Sequence, residues 1–426
     1  MQKPVVSTIF LALLCAGSSP AQQAVLNLRE LVEEALRVNP EVRAAQKRYE
    51  ALRQRPPQAG SLPDPMFSVG YTAIGNPRPV AGLGSQPMAR AGFMVSQEFP
   101  FPGKRGLQTA IAGKEAEEAL QDYRAAALSV ASRMKQAYHR LYHTAQMLRV
   151  LDISRSQIEA VADIAEIRYA TGRAAQQDIL RAHTQLAILE TRRTRLGQMI
   201  RAAEAELNTL LARPPDSPLG SPGEIPPGAL SITVDQLEAL AAENSPLLGR
   251  GRRSIDKAQL SLNLARKDYY PDTTLSGGYY YQGGIMPAMY ELRVDFKLPA
   301  WFWRKQRAAV AEQANTVSQS HREYEAAAQA LAYQIRESFL AAEASSRLMK
   351  LYAETVIPQA GLALESSLAS YQTGAIDFSA VLANLTTKIE YEENYHQEML
   401  AFHLALIRLE ELTGSEWMDS QRGENK

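Results

Sequence analysis

The sequence has almost no cysteine. Cys15 is the only one in 426 residues, and it lies in the apolar N-terminal stretch. If that stretch is removed, no thiol remains, and disulfides and thiol chemistry are excluded. Net charge is also missing, because 46 basic residues balance 46 acidic ones. That balance argues against nucleic acid, whose recognition rewards a basic surface. The charges are interspersed rather than blocked, as on solvated helix faces. After residue 22 no run reaches 18 consecutive apolar residues, so no membrane-spanning helix is expected. No Gly-rich phosphate loop, nucleophile elbow or paired-carboxylate motif stands out. Catalysis and a cofactor are therefore not expected. These absences leave open both a soluble chain and one that crosses a membrane as a β-barrel.

What is present begins with an export signal over residues 1–21. Lys3 precedes an apolar stretch from Val5 to Ala16, too short to span a bilayer comfortably. Ser19-Pro20-Ala21 then places small residues at a cleavage site before Gln22. Lipidation of Cys15 is the alternative, although Leu14 stands where a small residue is usually needed.

The rest of the chain is written twice, about 200 residues apart. Asn39-Pro40 returns as Ser245-Pro246, and Pro63-Asp64 as Pro271-Asp272. Phe99-Pro100 returns within Asp295-Phe296-Lys297-Leu298-Pro299, and Tyr169-Ala170-Thr171-Gly172 as Tyr371-Gln372-Thr373-Gly374. A period this long marks duplicated halves rather than a solenoid. The halves are expected at 22–230 and 231–426.

Within each half the hydrophobic period changes. Leu28, Leu31, Val32, Ala35 and Leu36 carry helix spacing, and the helix ends at Asn39-Pro40. A second helix is expected from Glu41 to Arg55, with Pro56-Pro57 and Ser61-Leu62-Pro63 breaking the chain. From 65 to 99 the period is 2, interrupted by a Gly/Pro-rich loop at 75–87. Phe67, Val69 and Tyr71 alternate with Ser68, Gly70 and Thr72, and Phe93, Val95 and Phe99 with Gly92, Ser96 and Glu98. This is a hairpin, repeated at 273–297. There Tyr290, Leu292, Val294 and Phe296 face one way, and Glu291, Arg293, Asp295 and Lys297 the other. Long helices are expected at about 104–213 and 304–413, with Pro358 interrupting the second set. The seam Ile179, Ala182, Leu186, Leu189, Leu196, Ile200, Ala203, Leu207, Leu210 has coiled-coil spacing. Arg213 to Ser231 holds six prolines and three glycines, an extended linker running back along the structure.

Two hairpins make four strands, which cannot close a barrel. Strands of this length with apolar-out, polar-in alternation fit an outer-membrane barrel, and three copies supply 12 strands around a water-filled lumen. A soluble hairpin packed on helices explains the same alternation. A soluble coiled-coil adaptor is a further alternative, but an adaptor normally shows many short strands between its helices.

As an ordered set, these residues resemble the TolC-like outer-membrane efflux proteins over essentially all of the chain after the signal. The likeness rests on Leu31-x-x-x-Ala35-Leu36-x-x-Asn39-Pro40, the two hairpins, the Tyr169/Gly172 and Tyr371/Gly374 turns, and Asp178-Ile179-Leu180 after the first turn. Gln97-Glu98-Phe99-Pro100-Phe101-Pro102-Gly103-Lys104-Arg105 and Pro63-Asp64-Pro65 look most like the branch serving heavy-metal efflux. The resemblance implies a mainly α chain in a homotrimer, with a 12-strand barrel in outer-membrane lipid and a periplasmic helical tunnel. It also implies a periplasmic adaptor and an inner-membrane RND-type transporter as partners, with heavy-metal cations as cargo. Multidrug efflux and type I protein secretion use the same architecture.

The resemblance further implies a periplasmic end constricted by polar links and acidic side chains. Asp178, Asp377 and Arg173 are the entrance candidates. Three copies of Asp178 would form a cation-attracting ring, and an ordinary solvated carboxylate is the alternative. Ala380 and Ala383 stand where some family members carry gate aspartates. Gly172, Gly374, Tyr169 and Tyr371 are turn and adaptor-docking candidates, and plain helix caps explain the glycines equally well. Glu291, Arg293, Asp295 and Lys297 are candidates for the barrel lumen. No metal site is expected. His139 and His143 are four apart, a spacing that can bind metal, but no carboxylate or thiol adjoins them. They are read as helix-surface histidines, as are His396 and His403.

Overall fold

A computed structural model describes residues 25–415, except 76, 77, 79, 81, 226, 227 and 229. The expected signal peptide, its cleavage site and Cys15 lie outside the described residues, as does part of the 75–87 loop. Exposures given below are those of a single chain.

The first half runs α1 (Leu28–Val38), α2 (Pro40–Leu52), α3 (Arg55–Gly60), β1 (Met66–Thr72), β2 (Arg90–Phe99), α4 (Lys104–Ala170) and α5 (Gln176–Leu210). The second runs α6 (Val234–Asn244), α7 (Pro246–Lys267), β3 (Asp272–Tyr281), β4 (Met289–Lys297), α8 (Lys305–Leu351), α9 (Ile357–Thr373) and α10 (Phe378–Thr413). The repeated Asn39-Pro40 and Ser245-Pro246 end one helix and open the next. The Asn39 side chain accepts from the amides of Glu41 and Val42 and donates to the Leu210 carbonyl, which pins the end of α5. At the corresponding place in the second half, Gly414 closes α10 against the Asn244 carbonyl, where a Cβ would come within 2.6 Å.

α4 contains 67 residues, or about 100 Å at 1.5 Å per residue. The buried residues of α5 at Ala182, Leu189, Leu196, Ala203 and Leu210 recur every seven positions, the period of a helix seam that stays against its neighbour. Residues from α4, α5, α9 and α10 share one core around Ala165, Leu189, Phe378 and Leu385. Two further cores, one per half, lie nearer the sheet. The linker runs back along the helices: the Leu26 amide donates to the Ser221 carbonyl, and the Tyr138 hydroxyl accepts from Gly223 and donates to Leu26.

Two expectations about proline need correction. Pro56 and Pro57 do not break the chain into a loop. They occupy the first turn of α3, where a missing N–H costs nothing. Pro358 does not interrupt its helix sharply either. One turn of π-helix, Tyr352–Val356, precedes it, and the Ile357 amide bonds back five residues to Tyr352. That wider turn absorbs the bond proline cannot make.

The four strands form one antiparallel sheet in sequence order, so β2 pairs β3 and joins the halves. Opposite residues share a face. Val69↔Phe93, Phe93↔Tyr279 and Tyr279↔Tyr290 therefore put Val69, Phe93, Tyr279 and Tyr290 on one side. Leu292, Val294 and Phe296 extend that side, all exposed. Phe67, Phe93, Tyr279 and Tyr290 form a ring-to-ring row across all four strands, with centroids 5.4–6.0 Å apart. On the opposite face the Tyr280 ring lies over Gly92 and Gly278, with Arg90 stacked 4.7 Å above it. A Cβ on Gly92 would meet the Tyr279 carbonyl at 2.1 Å, which is backbone and cannot yield. Gly92→Ala is therefore expected to cost about 1–3 kcal/mol, read as a lower temperature for losing the folded barrel on heated gels.

Candidate functional site

Three places hold the candidate functional residues: the polar face of the sheet, the junction beneath it, and the far tip of the long helices. On the sheet, Glu291, Arg293, Asp295 and Lys297 all lie on the face opposite the apolar row, as the alternation predicts. Arg293 and Asp295 form an ion pair at 2.9 Å, and Lys297 sits across from Asp272. The same face carries Ser68, Gly92, Ser96, Glu98, Thr274 and Ser276, so it is mostly polar or small, with Met66, Met94, Tyr280 and Met289 as its large apolar or aromatic side chains. One face suits water and the other suits hydrocarbon. β1 and β4 are open edges in a single chain, and a bilayer forbids open edges.

The junction explains the Phe99–Arg105 motif. Lys104, 6% exposed, reaches Asp272 at 2.9 Å and Asp268 at 3.1 Å. Asp272 also accepts from the Phe101 amide at 2.8 Å. Burial pulls the Lys104 ammonium down, but the hydrogen bonds and charges of Asp272 and Asp268 outweigh it and hold its pKa above the ordinary lysine value. Phe101 stacks on Tyr270 at 4.5 Å, Lys267 lies over both rings, and Arg105 donates to the Gly60 carbonyl. The β2–α4 and α7–β3 crossings are thereby tied together.

On the other crossing, β4 to α8, Trp301, Phe302 and Trp303 are at least half exposed and touch one another edge to face. A ring of amphipathic aromatics at the base of strands is the signature of a membrane–water boundary. Trp301-Phe302-Trp303 is a contiguous aromatic run in the sequence, outside the alternating strand pattern.

At the tip, Gly172 and Gly374 hold positive φ of 70° and 82°, as the turn reading requires. Tyr169 is 46% exposed, but Tyr371 is only 3% exposed and packs on Phe378 at 5.6 Å. The expectation that Tyr371 offers a docking surface is thus corrected: its ring belongs to the tip core. Arg168, overlooked in the sequence, joins the two turns. Its guanidinium donates to the Tyr371 carbonyl, lies 4.5 Å over the Tyr371 ring, and donates to the Arg173 carbonyl at 3.4 Å. Arg173 contributes that carbonyl, and its own side chain is exposed. Asp178 is half-buried in the first turn of α5. Burial first, and the Asp178 charge second, raise the Tyr371 phenol above its usual value, while Arg168 opposes them. The structure therefore brings Asp178, Arg168 and Tyr371 together. Asp377 stands apart as the exposed N-cap residue of α10, with no side-chain cap bond. Ala380 and Ala383 are exposed beside it.

The histidines differ most from expectation. His139, His143 and His403 are not on the surface. They are 6%, 0% and 5% exposed, and one ring nitrogen from each lies within 4.8 Å of the others.

Among the described residues no helix is long and apolar enough to cross a membrane. Comparison with curated protein sequences gives no match. The fold is that of solved outer-membrane channels. A membrane protein from Pseudomonas aeruginosa is similar at 17% identity and a TM-score of 0.80, covering 93% of this chain and 92% of that one. The outer membrane protein VceC from Vibrio cholerae is similar at 18% identity and a TM-score of 0.77, covering 91% and 96%. CusC, whose structures address folding and transmembrane channel formation, is similar at 15% identity and a TM-score of 0.75, covering 91% and 92%. The family described as outer membrane efflux protein matches residues 31–213 and 237–415, one segment in each half. The chain belongs to the outer membrane efflux protein family, with its sheet in the outer membrane and its long helices on the periplasmic side.

Proposed function

We propose that the chain assembles as a homotrimer forming one continuous exit duct, and that its cargo is heavy-metal cations. The observation carrying the duct is the four-stranded sheet with one apolar face, one polar face and two unpaired edges, set on helices about 100 Å long. Three such sheets close a barrel of 12 strands and leave no edge in lipid. The repeats at 22–230 and 231–426 then give six near-equivalent units around the axis. The chain is a passive conduit that does no chemistry. A periplasmic adaptor and an inner-membrane RND-type transporter deliver the cargo. The exposed Tyr169 and the Gly172 and Gly374 turns are the surfaces the adaptor grips. Three copies of Asp178 make the entrance cation-attracting.

The cargo reading is supported by the Gln97–Arg105 and Pro63-Asp64-Pro65 motifs, which resemble the metal branch. A deletion strain is expected to lose tolerance to at least one of zinc, cobalt, cadmium or copper, with intracellular metal rising on mass measurement. Unchanged tolerance to all four alongside new drug sensitivity would replace it with multidrug efflux. A soluble monomer on fractionation would sink the duct itself.

A further inference from the structure

We propose that His139, His143 and His403 form a resident binding site for a divalent transition-metal cation of the zinc or copper(II) type, within the helical wall. The site clips α4 of the first half to α10 of the second. It assumes nothing about cargo, because the three side chains are buried between helices of a single chain.

The geometry is that of a ligand set. His139 and His143 lie one turn apart on one face of α4, and His403 meets them from α10. His143 Nε2 and His403 Nδ1 are 3.2 Å apart. Donors around a tetrahedral zinc sit about 3.3 Å from each other, given Zn–N bonds of about 2.0–2.1 Å. All three donor atoms fall within 4.8 Å, so closure onto one ion needs side-chain adjustment of about an ångström. The rings are already gathered, with the His139–His403 centroids 4.6 Å apart and the His143–His403 centroids 5.3 Å apart.

The environment suits imidazole ligation. His143 is fully buried, and its Nδ1 has no hydrogen-bond partner. A metal bound at Nε2 would take the place of the His143–His403 hydrogen bond and join the three rings through one ion. A purely imidazole set without thiolate or carboxylate favours zinc or copper(II) over magnesium or calcium. The interhelical linker passes close by: a Cβ on Gly228 would lie 3.8 Å from His403 Nε2. One turn along the same seam Lys135 pairs with Glu410 at 2.8 Å, so α4 and α10 are held by polar contacts here rather than by apolar packing alone.

The test uses the full-length protein in detergent, purified without a polyhistidine tag, stripped with chelator and titrated with cobalt(II) as a visible probe. One cobalt per chain is expected, with the intense absorption of a tetrahedral ion, displaced by zinc. His143→Gln and His403→Gln are each expected to weaken binding by more than the roughly 10–100-fold that loss of an outer-shell partner costs. His183→Gln, at an exposed histidine, is expected to leave binding unchanged. Absence of saturable binding, or equal binding in wild type and both cluster variants, overturns the proposal. Should those variants fail to assemble, the wild-type spectrum decides alone: a weak octahedral spectrum means surface binding and overturns it.

Discussion

Lys104→Met is expected to cost about 3–5 kcal/mol and to remove most of the assembled channel from the membrane. Lys104 is almost fully buried and faces two carboxylates, Asp272 at 2.9 Å and Asp268 at 3.1 Å. Removing one partner of a buried pair leaves the other charge uncompensated, which is costlier than the pair was favourable. Asp268 is half exposed and can turn to water, so Asp272 bears most of the penalty. Asp272 also holds the Phe101 amide, and the loss therefore spreads to the backbone where β2 becomes α4. The measurement is the melting temperature and the yield of the SDS-resistant assembly. Lys104→Arg keeps the charge and is expected to retain most of both. If Lys104→Met melts like wild type, the junction is held by the Phe101–Tyr270 stack and not by the lysine. Asp272→Asn is a useful companion: it should lose less than Lys104→Met, because its amide oxygen can still accept from Phe101.

The junction also shows where sequence reading stops. Gly103-Lys104-Arg105 was visible as part of a motif, but Asp268 and Asp272 lie more than 160 residues away in the chain, and no periodicity links them. Local order was legible. Strand alternation placed Glu291, Arg293, Asp295 and Lys297 on one face because the side-chain period of a strand is fixed by its backbone. The seven-residue seam of α5 was legible for the same kind of reason. The α3 turn was not, because Pro56-Pro57 reads equally as a loop or as a first helical turn, and only the preceding helix end decides. The π-turn before Pro358 was not, because it solves a backbone problem that leaves no mark on side-chain spacing.

The histidines fail in an instructive direction. His139 and His143 carried the right spacing, and the surface reading rested on finding no third ligand nearby in sequence. The third ligand, His403, is 260 residues on. The duplicated architecture itself brings it close, because α4 and α10 are neighbours only once the two halves have packed. A similar gap hid Arg168. Its partner Tyr371 belongs to the other repeat, 203 residues away in the chain.

Arg168→Ala is expected to raise single-channel conductance several-fold and to sensitise cells to large antibiotics that the outer membrane normally excludes. Arg168 is the side chain that spans from the α4–α5 turn to the α9–α10 turn at the tip. Its donation to the Tyr371 carbonyl is charge-assisted, worth about 1.5–3 kcal/mol, and its stacking over the Tyr371 ring adds about 0.5–2 kcal/mol. Without it the two turns keep the apolar contacts around Ala165, Phe378 and Val381, which resist separation but do not fix an angle, while the polar links Arg192–Glu393 and Lys135–Glu410 lie farther along the helices. The chain should still assemble, because the tip lies about 100 Å from the barrel along α4, so thermal stability of the assembly is expected to change little. Arg168→Lys keeps the charge but loses the planar fork that serves a carbonyl and a ring at once, and an intermediate conductance is expected. Asp178→Asn separates gating from selectivity: it should lower the preference for cations in bilayer recordings while leaving the conductance increase to Arg168→Ala. Equal conductance in wild type and Arg168→Ala would mean that the tip is held closed by the copies acting on one another, and that the link within each chain only shapes the turn.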